Sequence, residues 1–310
     1  MTALVLTSSA PLAGKTTVAV GLGRVLAGGG RRVAVLRLGG DAGADRDAAL
    51  FAGLPFNAER RRQPASAAEA AAAAGGSDIA LIEAPAGDPS DSLAALKAKA
   101  IAVARYPDAA EAEFLAFCRS SGDALLGIAV TAVPQRRLEA ARRALEATNL
   151  RLIAMVPEDR TLASPTIEEL AEALAAQTMF LDDQRQQVLD RILISSISAD
   201  PGQGYFASYN PNAVIVRSDK PDLQIAALNA GVRCLVITGG LPLLSYVIER
   251  AEGDEIPLIL TQHDTKAVIQ VLEDLYPRTR FAGPAKVERI AALLAGGLEA
   301  AALDALTATR

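Results

Sequence analysis

The sequence predicts an α/β chain of two doubly wound domains, each built on a mainly parallel sheet. Three observations carry this. Short apolar runs of strand length alternate with helix-length stretches along the chain, the pattern of parallel strands joined by right-handed crossovers. The first run, Ala3-Leu4-Val5-Leu6, leads through a small-residue loop into Gly14-Lys15-Thr16-Thr17 and then a helix ending at Gly28-Gly29-Gly30. Finally, residues 181–190, rich in Asp and Gln, interrupt the alternation before it starts again. Such composition suits an exposed linker and divides the chain into domains 1–183 and 184–310. A length of 310 residues fits two domains, and 51% apolar residues can fill their cores.

Strand, loop, Gly-Lys-Thr and helix in this order are the context of a phosphate-binding loop. The first turn of a helix has unpaired N–H groups and partial positive charge, so it attracts phosphate. Ser9, Ala13, Gly14, Lys15, Thr16 and Thr17 are the candidate nucleotide-binding residues. Gly14 lets backbone approach closely, Lys15 can reach the β- and γ-phosphates, and the Thr16 hydroxyl can face Mg²⁺. Ser9 stands where G-x-x-x-x-G-K-[ST] has glycine, which a tight loop accepts if its φ stays negative. The plainer reading is a Gly-Lys-Thr that merely opens a helix.

A second strand is expected at Arg32–Leu38, with Asp41, Asp45 and Asp47 after its carboxyl end. Ligands of open α/β sheets bind at that edge, so Asp45 and Asp47 are candidate Mg²⁺ ligands, directly or through water. The same stretch reads equally as a solvated loop with a helix N-cap at Asp45. An alanine-rich helix spans residues 65–74, and Asp78–Glu83 forms a third strand closed by an acid. A carboxylate there commonly serves the metal or its waters, so Lys15 and Glu83 are the candidate catalytic pair. The alternative for Glu83 is a strand-end acid facing solvent. Further strands are expected at 100–104, 124–131 and 150–156, and helices at 92–99, 108–118, 135–147 and 164–176, the last with Ser164 as N-cap. Loops 131–134 and 157–160 can line a base, which makes Pro157 and Glu158 candidates, although Glu158-Asp159-Arg160 reads equally as a surface ion cluster.

In the second half, strands are expected at 191–198, 213–216, 233–237 and 257–260, interrupted at Asp200–Gly204 and separated by helices at 223–230, 242–252 and 266–276, with a final helix at 285–307. Three of these strands end in small or acidic loops on one sheet edge, holding Asp219, Asp222, Thr238, Gly239, Asp264 and Thr265. That edge is a candidate regulatory cleft for a small metabolite. Asp219 and Asp264 read as well as caps of the following helices.

The net charge of -5, with no basic block beyond Arg60-Arg61-Arg62, argues against nucleic acid as a partner. The chain has no run of about eighteen apolar residues and no secretory leader, so neither a membrane span nor export is expected and a cytoplasmic protein is. Cys118 and Cys234 read as buried free thiols, and the single histidine, His263, excludes a His-rich metal site.

The phosphate loop, Leu81-Ile82-Glu83-Ala84-Pro85-Ala86-Gly87 and the stretch Met155–Thr166 resemble the dethiobiotin synthetase-like and cobyrinic acid a,c-diamide synthase-like P-loop ATPases. They are most similar to the version in the N-terminal part of long phosphotransacetylases. The resemblance covers residues 1–180 and implies ATP and Mg²⁺ at Gly14, Lys15, Thr16 and Glu83, and a homodimer. This chain departs from it at Ser9, at Ala10 where some relatives carry a second lysine, at Thr131 where asparagine is common, and at Arg37 where synthetases place a catalytic lysine. Residues 185–285 resemble the DRTGG domain through Asp219-Lys220-Pro221-Asp222, Thr238-Gly239-Gly240 and Asp264-Thr265. That family is associated with regulation. The resemblances together imply a nucleotide-dependent metabolic regulator whose second domain meets a small metabolite or a partner enzyme. The enzyme alternative is an ATP-dependent ligase that activates a carboxylate as acyl phosphate. A third reading is a P-loop kept only as a scaffold.

Overall fold

Six apolar runs in the first half assemble into one sheet. They are β1 (Thr2–Thr7), β2 (Val33–Arg37), β3 (Ile79–Glu83), β4 (Lys99–Arg105), β5 (Leu125–Val133) and β6 (Leu152–Pro157), paired in the order β2-β3-β1-β4-β5-β6 and all parallel. The connecting helices are α1 (Lys15–Gly28), α2 (Ala44–Gly53), α3 (Ala67–Ala74), α4 (Ser90–Leu96), α5 (Ala112–Ser120) and α6 (Leu138–Glu146). The strands are apolar on both faces because helices cover both faces. This computed structural model describes residues 2–195 and 202–298, together with 302, 304, 306 and 307.

Register sets up the site. Glu83 of β3 stands beside both Leu6 of β1 and Arg37 of β2. The carboxyl ends of three adjacent strands therefore bring an acid, a guanidinium and the loop after Thr7 to one place. Helix α1 carries two interior glycines, each costing about 1 kcal/mol against alanine in a helix. A Cβ on Gly23 would lie 2.9 Å from the Phe56 ring, and one on Gly21 would lie 2.5 Å from Leu294. Both glycines let neighbours press onto the helix that follows the loop after β1.

The chain divides into two units, Met1–Asp159 with Val287–Arg310, and Arg160–Lys286. The second unit contains α7 (Arg160–Ala163), α8 (Ile167–Ala173), β7 (Gln177–Met179), β8 (Ile192–Ile194), α9 (Gly202–Tyr209), β9 (Ala213–Arg217), α10 (Pro221–Asn229), β10 (Cys234–Thr238), α11 (Ser245–Gly253), β11 (Leu258–Leu260) and α12 (Thr265–Leu275). Its sheet runs β7-β11-β10-β9-β8, parallel except for the antiparallel edge strand β7. From residue 287 onward, α13 (Pro284–Gly297) belongs to the first unit, where Ile290 and Leu294 reach Gly21 and Arg289 pairs with Asp159 at 2.6 Å.

The division falls at 159/160 and not at 183/184. Residues 181–190 are not an exposed linker: Leu181, Val188 and Leu189 are buried, and Ile167, Glu168 and Leu189 donate backbone hydrogen bonds to Gln187, Arg185 and Pro165. Polar composition misleads there because the polar residues surround Leu181 and Leu189, which join the core of Ile167, Leu170 and Leu174. The cap of α8 is Thr166, not Ser164. Thr166 forms a capping box with Glu169, while the buried Ser164 hydroxyl donates to the Arg160 carbonyl. The strand expected over 191–198 is formed at Ile192–Ile194, and residues 196–198 lie outside the described residues. The interruption expected at Asp200–Gly204 begins outside them too, and helix α9 starts at Gly202. The part of the last expected helix beyond residue 298 lies largely outside them as well. Cys118 and Cys234 are buried free thiols. No helix among the described residues is long and apolar enough to cross a membrane.

Candidate functional site

The loop between β1 and α1 turns back on itself through two left-handed residues, Leu12 at φ 58° and Gly14 at φ 92°. Ser9 is not among the positive-φ residues, so serine meets no strain in place of the motif's glycine. Leu12 does, and its side chain is 62% exposed, a backbone strain of the kind that functional loops store. Gly14 is required on two counts. Its φ disfavours a side chain, and a Cβ would lie 2.8 Å from Thr131 Cγ2. Thr131, at the carboxyl end of β5, donates its hydroxyl to the Ala13 carbonyl at 2.8 Å and so braces the loop from behind. The Gly87 N–H donates to the Ser8 carbonyl and ties the loop after β3 to the same turn.

Inside this frame lies a group of buried charges. Lys15, only 7% exposed, donates from Nζ to Ser8 Oγ at 2.9 Å, a neutral partner for a cation. Burial lowers its pKa, against the raising pull of Glu83. Thr16 donates its hydroxyl to Glu83 Oε1 at 3.2 Å, while Glu83 Oε2 is buried without a hydrogen-bond partner. Burial, and next the carboxylate of Asp47, push the Glu83 carboxyl up to about 7. Arg37, 3% exposed, lies 3.8 Å from Glu83 and 3.5 Å from Asp47, and its guanidinium donates to Asp41. It also donates to the Glu83 carbonyl at 3.3 Å.

The structure thus brings together Gly14, Lys15, Thr16, Glu83 and Asp47 of the predicted residues. Asp45 sits exposed in the first turn of α2, and Gly43, not Asp45, is the N-cap. Ala13 is buried, Thr17 half-buried and Ser9 exposed along the loop and first turn. Pro157 closes β6, and the exposed Glu158 donates its N–H to Val133 at 2.8 Å, so the two candidate base-side loops are joined to each other. The next residue, Asp159, pairs with Arg289. Sequence reasoning missed Arg37 as the hub of the carboxylates, and missed Ser8 and Thr131 as braces. The available signal for Arg37 was a basic residue ending an otherwise apolar strand beside an acid-ended one. No group of three or more His, Cys, Asp or Glu suited to a metal occurs among the described residues.

In the second unit the carboxyl edge is differently built. Thr238 and Thr265 share a hydrogen bond between hydroxyls at 3.1 Å, and the Gly239 N–H donates to the His263 carbonyl at 2.8 Å. Asp264 caps α12, accepting from the Ala267 N–H at 2.8 Å. Asp219 caps nothing: Lys220 holds the N-cap position of α10, and Asp219 pairs with Arg217 through two hydrogen bonds of 2.9 and 2.5 Å. Asp222 is exposed in the first turn of α10.

Comparison with known proteins finds partial likenesses. Over 153 residues the chain is 26% identical to the phosphate acetyltransferase of Nitratidesulfovibrio vulgaris, a match covering 46% of this chain and 21% of that protein. This chain therefore spans about a fifth of the curated relative's length. Among solved structures, the MinC:MinD cell division complex of Aquifex aeolicus aligns with 52% of this chain and 84% of its own, at 17% identity and a TM-score of 0.39. The CBS and DRTGG domains of a Clostridium perfringens pyrophosphatase, solved with the activator diadenosine tetraphosphate, align with 36% of this chain and 47% of their own, at 16% identity and a TM-score of 0.31. Residues 169–275 match the DRTGG domain family, and because that span lies wholly inside Arg160–Lys286, the second unit contains a DRTGG domain.

Proposed function

We propose that this chain is a nucleotide-dependent regulator whose first unit binds ATP with Mg²⁺ and whose DRTGG-containing unit passes the binding state on to a small metabolite or a partner enzyme. One observation carries the reading. A buried lysine with only a serine hydroxyl as partner stands beside a buried carboxylate that has one unsatisfied oxygen. Desolvated groups of opposite charge left short of partners are costly unless a ligand completes them. Phosphate completes Lys15, and a magnesium ion completes Glu83.

The residues present fit that ligand. Backbone N–H groups from Ala13 to Thr17 and the Lys15 ammonium would hold phosphate, and Thr16 with Glu83 would hold the metal, directly or through its waters. A single carboxylate with a hydroxyl is an ordinary protein share of a Mg²⁺ site, because the ion keeps waters and takes phosphate oxygens. Bound Mg²⁺ would neutralise phosphate charge and fix its orientation. Asp47 stands behind Glu83 and would set its charge. The ligase reading draws less support: Arg37, at the synthetases' lysine position, is taken up by Asp41, Asp47 and Glu83 and is not free to meet a substrate carboxylate. The likeness to phosphate acetyltransferase favours a role in acyl-phosphate metabolism.

Calorimetry against ATP, ADP and GTP, each with and without Mg²⁺, tests the proposal. The expected result is saturable heat with ATP that strengthens with Mg²⁺ and little turnover. No heat with any of the three would leave the loop a scaffold, and rapid ADP release stimulated by a carboxylic acid would favour the ligase.

A further inference from the structure

We propose that the second unit holds a separate binding pocket for a small planar anion, a ring bearing phosphate, at the amino-terminal edge of its sheet. The pocket is a solvent-open cavity of about 470 Å³, within the size range of small-molecule sites. Its walls come from four places in the second unit: α7, the turn into β8, the end of α9 and the turn after α12. It lies at the opposite end of the strands from the loops of Asp219, Thr238 and Asp264, because it is lined where β8 and β9 begin.

The chemistry of the lining selects the ligand. Arg160 and Arg191 both face the cavity, and neither guanidinium has an ion-pair or hydrogen-bond partner among the described residues. Arginine offers donors and no acceptor, in a fork that fits phosphate or carboxylate oxygens in pairs. The one carboxylate in the lining, Asp190, already accepts from Thr161 Oγ1 at 3.3 Å. The sites left open are thus mainly donors, and an anion answers them. Two tyrosines supply the rest. Tyr209 is 56% exposed and Tyr276 39% exposed, both unusually bare for aromatic rings. Tyr209 is steadied by Tyr205, whose ring centroid is 4.9 Å away. Rings beside guanidinium groups take a planar partner by stacking and by cation–π contact. Inorganic phosphate alone would leave the tyrosines bare, and an apolar ring alone would leave the arginines unanswered.

A mononucleotide and a simple aromatic phosphate share this chemistry, so both serve as probes. The test is calorimetry on the full chain carrying Lys15→Ala, which silences the phosphate loop of the first unit and keeps the outcome separate from the reading of that loop. Titrants are AMP, phenyl phosphate and inorganic phosphate. AMP and phenyl phosphate should bind, with Arg160→Ala and Arg191→Ala each weakening them at least tenfold and Tyr209→Ala weakening them while leaving inorganic phosphate unchanged. A preference for AMP over phenyl phosphate would identify the source as a nucleotide, and equal affinity an aromatic phosphate. All three substitutions are of exposed residues, and thermal melts check that they fold. No heat with any titrant, or heat that survives the Arg160→Ala/Arg191→Ala double substitution, would overturn the proposal. Inorganic phosphate binding as tightly as the ring compounds would overturn the planar part of it.

Discussion

Both units are helix-covered, mainly parallel sheets, the first wound in both directions from β1 and the second running β8 to β11 in one direction, yet their carboxyl edges differ in kind. The edge of the first unit buries Lys15, Arg37 and Glu83, and leaves a carboxylate oxygen and the β1 hydroxyl of Thr7 without partners. The corresponding edge of the second unit buries neutral groups, Thr238, Thr261 and Gln224, the last with its amide oxygen unpartnered, while its charged residues Arg217, Asp219 and Asp264 stand exposed and engaged with one another or with backbone. A fold class therefore does not make a site. What marks the first edge is buried charge held short of partners, which folding alone would select against. In the second unit the unanswered donors are found at the other end of the strands.

The largest expected effect concerns where the second unit begins. Starting it at Gln184 deletes Ile167, Leu170, Leu174 and Leu181 from its core and removes edge strand β7. Loss of such buried side chains costs about 2–5 kcal/mol each, and four of them together match the roughly 5–15 kcal/mol that holds a domain. A fragment of residues 184–286 should show no cooperative melt by circular dichroism, whereas residues 160–286 should melt in a single transition. A cooperative melt of the shorter fragment would mean that α8 and β7 are ornaments and that the sequence-based boundary is the functional one.

That boundary shows how far the sequence could be read. The glycine-lysine-threonine turn after β1, the acid that closes β3 and most strands of the first sheet are legible because each depends on local pattern: an apolar run, then a fixed string of residue types. Arg37 is not, since its role arises from register, the pairing of Arg37 with Glu83 across β2 and β3. Helix α9 was hidden because Gly202, Gln203 and Gly204 read as a break. Residues 181–190 were misread because composition averages over the stretch, while burial is decided residue by residue: Leu189 is fully buried and Gln186 next to Gln187 is not. Nothing local in the sequence explains Gly21 inside α1, and only the arrival of Leu294, distant in sequence, does.

Next in size is Lys15→Ala. It removes charge-assisted hydrogen bonds to phosphate worth about 1.5–3 kcal/mol, or roughly ten- to a hundredfold in affinity. Calorimetry with ATP and Mg²⁺ checks this, and unchanged affinity would erase the contrast between the two edges. The fold should be untouched, because the ammonium's one protein partner is a hydroxyl.

Glu83→Gln sharpens the comparison by separating stability from binding. Burial raises the Glu83 pKa from 4.5 to about 7. The folded state therefore holds the proton more tightly than the unfolded chain, and stability falls as pH rises from 4.5 toward 7. The neutral amide escapes that penalty. Nucleotide-free Glu83→Gln should melt higher than the parent at pH 8 and differ little at pH 4.5, while losing the Mg²⁺-dependent part of ATP binding. Scanning calorimetry at the two pH values, with and without ATP and Mg²⁺, reads both effects. A variant that melts lower at pH 8 would show that the pairing with Arg37 outweighs desolvation.

The smallest effects are expected at the carboxyl edge of the second unit, and they decide whether its acids serve the fold or a ligand. Asp264 accepts from the Ala267 N–H, and losing such a cap costs about 1 kcal/mol. Asp219 pairs with Arg217 at an exposed site, where ion pairs contribute about 0–1 kcal/mol. Asp264→Ala should thus lower the denaturant midpoint measurably, Asp264→Asn should restore most of it because asparagine also caps, and Asp219→Ala should leave it within error. If the acids serve only the fold, amide exchange in the loops after β9, β10 and β11 should respond to ATP equally in the parent and in Asp219→Ala. If Asp219→Ala keeps full stability yet abolishes that response, the edge is a coupling site in its own right, since an effect of one ligand on a distant site requires a differential interaction there. The contrast between the two edges would then rest on buried charge in one and on exposed, exchangeable charge in the other.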